Sequence, residues 1–239
     1  MRAYPVTLVR RFSSLVDLSF DDEASLATLP LDISSVVQRQ AILRAGEPSP
    51  SMYVILEGWA ARYGIRANGS RRITGIMLPG DFCGIHALSG ASLDHGIVAL
   101  TNCKIGKIDW TIIADLAHAS PAINRALWRA KLVEESILRT WLLNSDDAFQ
   151  AVGHLLCELH VRACGVGLMQ NRRCYIPLTQ QDIADAIGIT NVHTNRMLQK
   201  LRREGLIEFQ RGALFIPDQD ALRKACDFTP AYLHPLEAA

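Results

Sequence analysis

Residues 178–207 read LTQQDIADAIGITNVHTNRMLQKLRREGLI, and Gly188 interrupts what would otherwise be one amphipathic helix. Thr179, followed three residues later by Asp182, opens a helix with the pattern of a capping box. Ile183, Ala184 and Ile187 give that helix an apolar face, and Gly188 stops it after about two turns. A second helix starts near Asn191. Its Thr194, Met197, Leu198 and Leu201 recur at steps of three and four and therefore face inward. Ala184 is small enough for two helices to cross closely, and Ile189 fills the space between them. Asn191, Val192, Asn195, Arg196 and Gln199 are left on the opposite face.

That outer face offers amides and a guanidinium, the groups that pair with adenine and guanine edges in a major groove wide enough to admit a helix. The whole chain carries a net charge of only +1, so affinity for a polyanion must come from local clustering. From Arg172 to Arg211 there are seven Lys or Arg against four Asp or Glu. A solvated helical hairpin is the plainer alternative. The turn spacing together with the basic flank favours a helix-turn-helix on duplex DNA.

The preceding residues have a different texture. SFDDEASLATLP reads as a short helix capped by Ser19 and ended by Pro30. From Ser35 to about Ile108, short β-prone runs alternate with turn signals at Gly46 with Pro48, at Asn68-Gly69 and at Pro79-Gly80-Asp81. Such spacing predicts a sandwich or small barrel. Residues 110–143 lack glycine and read as helix. Ile123, Ala126, Ala130, Val133, Ile137, Thr140 and Asn144 follow heptad spacing. They describe either a seam for a second copy or the inner face of a helix packed on its own domain, and the spacing favours the seam. Ser145 or Asp146 can cap the next helix, whose stripe is Ala148, Val152, Leu155, Leu156 and Leu159. A hairpin turning at Arg211-Gly212 closes the pattern.

The six cysteines are scattered without a C-x-x-C pair. No leader pattern or apolar run of membrane-spanning length is present, so a soluble cytoplasmic protein with reduced thiols and no membrane partner is expected. No nucleophile–base signature appears, so no catalytic residue, no metal ligand set and no cofactor are expected, and the chain reads as a non-enzyme. One competing reading is a cupin-like metal-binding or ligand-sensing protein whose C-terminal part is only an interaction module. It would need a His/Glu ligand set on the strands. Another is a sensor that signals by protein contact alone.

The order of a β-rich region, LPGDFCG, a long helix and LTQQDIADAIGIT with NR, LRREGLI and a hairpin resembles the Crp/Fnr family of bacterial transcription regulators. The resemblance covers almost the whole chain. It implies an α+β fold with a jelly-roll-like double-stranded β-helix of the cyclic-nucleotide-binding type over 1–115. A dimerisation helix over 116–145 and a winged helix-turn-helix over 146–239 follow. It also implies homodimers on a roughly palindromic duplex site, with RNA polymerase as a further partner. The DNA-contacting set is then Thr179, Gln180, Asn191, Val192, His193, Asn195, Arg196, Gln199, Lys200 and Arg211. Arg196 matches the family's recurrent guanine-reading arginine. Val192 stands where many members carry glutamate. It cannot accept a hydrogen bond from cytosine but can pack on a thymine methyl.

The resemblance also marks an effector pocket at Gly84, Ile85, His86, His95 and Gly96. Members that bind cyclic AMP carry a glutamate for the ribose and an arginine-serine pair for the phosphate. Here Ile85 and His95-Gly96 stand at those positions, so a response to cyclic AMP is not expected. The oxygen-sensing branch uses clustered cysteines near its N-terminus to hold an iron–sulfur cluster. This chain has none before Cys83, which argues against such a cluster.

Overall fold

The computed structural model describes residues 4–48, 51–84, 92–170, 173–210 and 213–234. Ile85, His86, Arg172, Arg211 and Gly212 lie outside the described residues. The chain divides into two compact units, 1–64 with 75–132 and 235–239, and 65–74 with 133–234.

The first unit opens with helices α1 (Tyr4–Ser13) and α2 (Phe20–Ala27). Ser19 caps α2 in a full capping box with Asp22, and the helix ends at Thr28, before Pro30. The strands β1 (Asp32–Val36), β8 (Cys103–Asp109), β3 (Ser51–Glu57) and β6 (Phe82–Cys83) form one sheet in that order. A second sheet has the order β2 (Ala41–Leu43), β7 (Gly96–Ala99), β4 (Ala60–Ile65) and β5 (Arg71–Met77). The recorded pairings are antiparallel. Ile55, Ala60, Met77, Cys83, Ile97, Ala99 and Ile105, drawn from both sheets, meet in one apolar core. This is the expected jelly-roll-like arrangement.

The two-residue alternation of β3 explains the layering. Ile55 points into that core, while Met52, Val54 and Leu56 join a second core with Leu8, Phe12, Leu26 and Ile113 of the helices. The LPGDF stretch is a type II turn: Pro79 precedes Gly80 at φ +92, and Asp81 N–H donates to the Leu78 carbonyl at 2.9 Å. The Asp81 carboxylate also accepts from Leu78 N–H at 2.9 Å and pairs with Arg11 Nε at 2.9 Å. The motif's aspartate is thus committed to the fold.

The predicted long helical stretch is two helices, α3 (Trp110–Ala119) and α4 (Pro121–Leu143). They separate at Ser120, whose hydroxyl accepts from Ile123 N–H at 3.1 Å, and Pro121 takes the first helical position. The heptad seam is corrected here. Ile123, Ala126, Val133 and Ile137 are buried within the single chain, so they form the inner face of α4. Trp128, Leu132, Leu138, Leu142 and Leu143 are the exposed apolar residues of this helix. Heptad spacing located a buried stripe but could not say whether the same chain or a second copy covers it.

In the second unit, α5 (Ala148–Gly165) is the central helix, buried almost all round from Ala151 to His160. Its cap is Asp147, which accepts from Phe149 and Gln150 N–H, rather than the expected Ser145 or Asp146. α6 (Gln180–Ile187), α7 (Asn191–Arg203) and α8 (Gln219–Ala225) surround it. A small sheet has the order β11 (Glu208–Gln210), β12 (Ala213–Phe215), β10 (Arg173–Tyr175) and β9 (Met169–Gln170).

Candidate nucleic-acid interface

The helix-turn-helix is built as its sequence dictates. Thr179 accepts from Asp182 N–H at 3.1 Å and the Asp182 carboxylate accepts from Thr179 N–H at 3.0 Å, closing the capping box. Gly188 takes φ +88, and its N–H returns to the Ala184 carbonyl at 2.7 Å. Any side chain there would collide with the Arg72 guanidinium. Thr190 then caps α7 by accepting from His193 N–H at 3.2 Å.

Within α7, Thr194, Leu198 and Leu201 are buried, and the Thr194 hydroxyl donates to the Thr190 carbonyl. Asn191, Val192, Asn195, Arg196 and Gln199 are exposed on the other side, with Val192 82% exposed. His193 is half-buried between the two faces. Gln180 donates to Asn195 at 3.4 Å, which brings the start of α6 to the outer face of α7. Among the described residues, no ion pair or hydrogen bond engages Arg196. Lys200 differs: its ammonium lies 4.2 Å from the Phe149 ring centroid and 3.9 Å from a Glu204 oxygen. Its charge is partly satisfied inside the fold, whereas Arg196 extends to solvent uncompensated.

α6 is anchored from behind. Arg71 Nη2 lies 2.7 Å from Asp182 Oδ1, and Arg71 Nε lies 2.7 Å from Asp185 Oδ2. Residues 65–74, which carry Arg71, thereby hold two carboxylates of the helix that precedes the recognition turn. Sequence reasoning missed this anchor, because its partners stand 111 and 114 positions apart. It also missed Glu158, a fully buried carboxylate on α5. Glu158 accepts from Trp141 Nε1 at 2.8 Å and Tyr232 Oη at 3.0 Å, and pairs with Arg162 at 3.0 Å. Only the Glu158–Arg162 spacing of four gives any local signal.

Of the effector-pocket residues, Gly84 has φ +95, and a Cβ there would meet the Ser51 carbonyl at 2.6 Å. His95 Nδ1 lies 2.5 Å from Asp94 Oδ1. The Tyr63 ring covers Gly96 so closely that a Cβ would stand 2.6 Å from it. A side chain at this position would require the Tyr63 ring to shift. Among the described residues, no cluster of three or more His, Cys, Asp or Glu could hold a metal ion. The ligand set that a cupin-like metal protein needs is not found there.

Two family descriptions match the chain. A cyclic nucleotide-binding domain matches residues 34–120 and a Crp-like helix-turn-helix domain matches residues 150–225. The chain belongs to the Crp/Fnr family. It is similar to the anaerobic regulatory protein of Pasteurella multocida, at 27% identity over 192 residues, covering 78% of this chain and 69% of that protein. It is also similar to the regulatory protein HlyX of Actinobacillus pleuropneumoniae, at 28% identity, covering 78% of each. In fold it is similar to FixK2 from Bradyrhizobium japonicum, with a TM-score of 0.73, 22% identity, and coverage of 82% of this chain and 97% of that one. This Crp/Fnr protein is a DNA-binding transcription regulator with an N-terminal β domain, a long helix and a C-terminal helix-turn-helix. Among the described residues, no helix is long and apolar enough to cross a membrane.

Proposed function

We propose that this regulator acts as a cytoplasmic homodimer on a roughly palindromic duplex site, one α7 helix entering each half-site. The observation that carries this reading is the exposed face of α7, where Arg196 has no ion-pair or hydrogen-bond partner among the described residues and stands opposite buried Thr194, Leu198 and Leu201. Arg196 reads guanine through its bidentate fork. Val192 packs on a thymine methyl, and Asn191, Asn195 and Gln199 meet base edges. Thr179, Gln180, His193, Lys200 and Arg211 contact phosphates, which position the helix without specifying sequence. The exposed apolar side of α4, centred on Trp128, Leu132 and Leu142, supports pairing with a second copy. In this reading the sensor spans 1–115, the dimerisation segment 116–145, which holds the end of α3 and all of α4 rather than one helix, and the DNA-binding domain 146–239. RNA polymerase is the further partner.

We infer that cyclic AMP is not the effector. Tyr63 over Gly96 and His95 held by Asp94 leave no arginine-serine pair for a cyclic phosphate. Selection from a random duplex library with the purified protein tests the whole reading. A two-fold-symmetric consensus, bound equally with and without cyclic AMP and lost in Arg196→Ala, is expected. A consensus unchanged in that variant overturns the recognition-helix assignment.

A further inference from the structure

Five of the six cysteines are buried, and two of them touch: Cys157 Sγ on α5 and Cys226 Sγ at the end of α8 are 3.8 Å apart. Gly153 makes this meeting possible, because a Cβ there would stand 2.9 Å from Cys226 Cβ. Leu201 of α7 approaches the same point, at 3.7 Å. We infer that Cys157 and Cys226 are a dithiol that peroxide converts to a disulfide, stapling α8 to α5 beneath the recognition helix. The sulfurs must approach by about 1.8 Å to reach the ~2.05 Å of a disulfide bond. Cys226 is placed to move. It is the C-cap of α8, and Asp227 after it sits at φ +50, where the helix has already ended.

The chemistry balances with hydrogen peroxide as the oxidant. The Cys226 thiolate attacks one peroxide oxygen, the O–O bond breaks, and water leaves after protonation, giving a sulfenic acid. Cys157 sulfur then attacks Cys226 Sγ. The S–O bond breaks, and the departing hydroxide takes the Cys157 proton and leaves as a second water. Two electrons pass from the dithiol to the peroxide. The hydrogen bond from Cys157 lowers the Cys226 pKa, which favours Cys226 as the attacking sulfur. Burial excludes bulky oxidants and makes the reaction depend on brief opening of the α8 end.

Full-length reduced protein is treated with hydrogen peroxide, alkylated, digested without reductant and mapped by mass spectrometry. A crosslinked pair of peptides carrying Cys157 and Cys226, restored to free thiols by dithiothreitol, is expected. The bridge closes a loop of 69 residues, so the oxidised wild type should melt about 10 °C higher. Cys157→Ala should lose both effects, and Cys164→Ala, which alters the exposed thiol, should keep them. The wild-type map stands even if Cys157→Ala fails to fold. Oxidation confined to Cys164, or sulfinic acid at Cys226 without a crosslink, overturns the inference.

Discussion

The indole N–H of Trp141, near the end of α4, donates to the Glu158 carboxylate on α5 at 2.8 Å. Tyr232 Oη and Arg162 complete the shell around that carboxylate, so a charge with no solvent access has three donors. The two helices are joined by only a short link, and this contact fixes how one continues into the other. A buried charge persists only when paired and hydrogen-bonded. Glu158→Ala removes an ion-pair partner of the Arg162 guanidinium and the acceptor of two neutral donors. It should destabilise the second unit by about 3–5 kcal/mol in urea unfolding. Trp141→Phe removes one donor and should cost about 1 kcal/mol. Equal losses in the two variants would mean that Glu158 is not the centre of the network.

Arg71 makes two contacts of 2.7 Å with mostly buried Asp182 and Asp185. Arg71→Ala leaves both carboxylates without their cation and should cost about 2–4 kcal/mol. Arg71→Lys keeps the charge but cannot fork across two carboxylates, so it should recover less than half of that loss. Chemical denaturation of the three proteins side by side decides it.

The inner and outer faces of α4 should answer differently. Leu142→Glu and Trp128→Glu place charge on exposed apolar positions, so they should leave the fold intact while shifting the protein to monomers in analytical ultracentrifugation. Ile137→Ala empties a buried position and should lower stability by about 2–5 kcal/mol. If the Glu variants remain dimeric, that side of α4 is not the interface.

Val192 stands exposed on the outer face of α7, where it has no group that could accept a hydrogen bond from cytosine. Val192→Glu should shift the selected half-site toward cytosine at one base pair, by about 1–3 kcal/mol of discrimination. Binding-site selection on the variant reads this directly.

His154 is buried between Phe228 and Tyr232, with ring centroids at 4.9 and 5.5 Å. Burial pushes its pKa down to about 4 from 6.5. The unfolded chain therefore binds the proton first as pH falls. Stability from this site is complete above pH 6.5 and is lost as pH drops from 6.5 to 4. The loss approaches about 3 kcal/mol. His154→Phe should flatten that part of the stability-against-pH curve. A wild-type curve level across this window would refute the assignment.

Local rules legible in the sequence account for the helix-turn-helix. The capping box at Thr179 and Asp182, the left-handed Gly188 and the inward Thr194, Leu198 and Leu201 all form within a few residues of each other. The turns at Gly69 and Gly80 were equally local, since each needs a backbone conformation that glycine adopts freely. The buried polar residues of α5 were not legible. An apolar stripe was visible there, but His154, Glu158 and His160 complete the buried surface, and polar letters in a helix ordinarily signal solvent.

The sequence alone determined where the two helices of the helix-turn-helix begin and turn, and which side of the second carries polar groups. Caps, glycines and three-to-four spacing act over distances the chain itself spans. Only tertiary structure decided that the heptad stripe of α4 is satisfied by its own chain. It also decided that Arg71 belongs to Asp182 and Asp185, that Trp141 and Tyr232 share one carboxylate, and that Cys157 lies against Cys226. Those partners stand from 17 to 114 residues apart. A charge, an indole or a thiol states its chemistry in sequence, but its partner is fixed only when packing closes the distance.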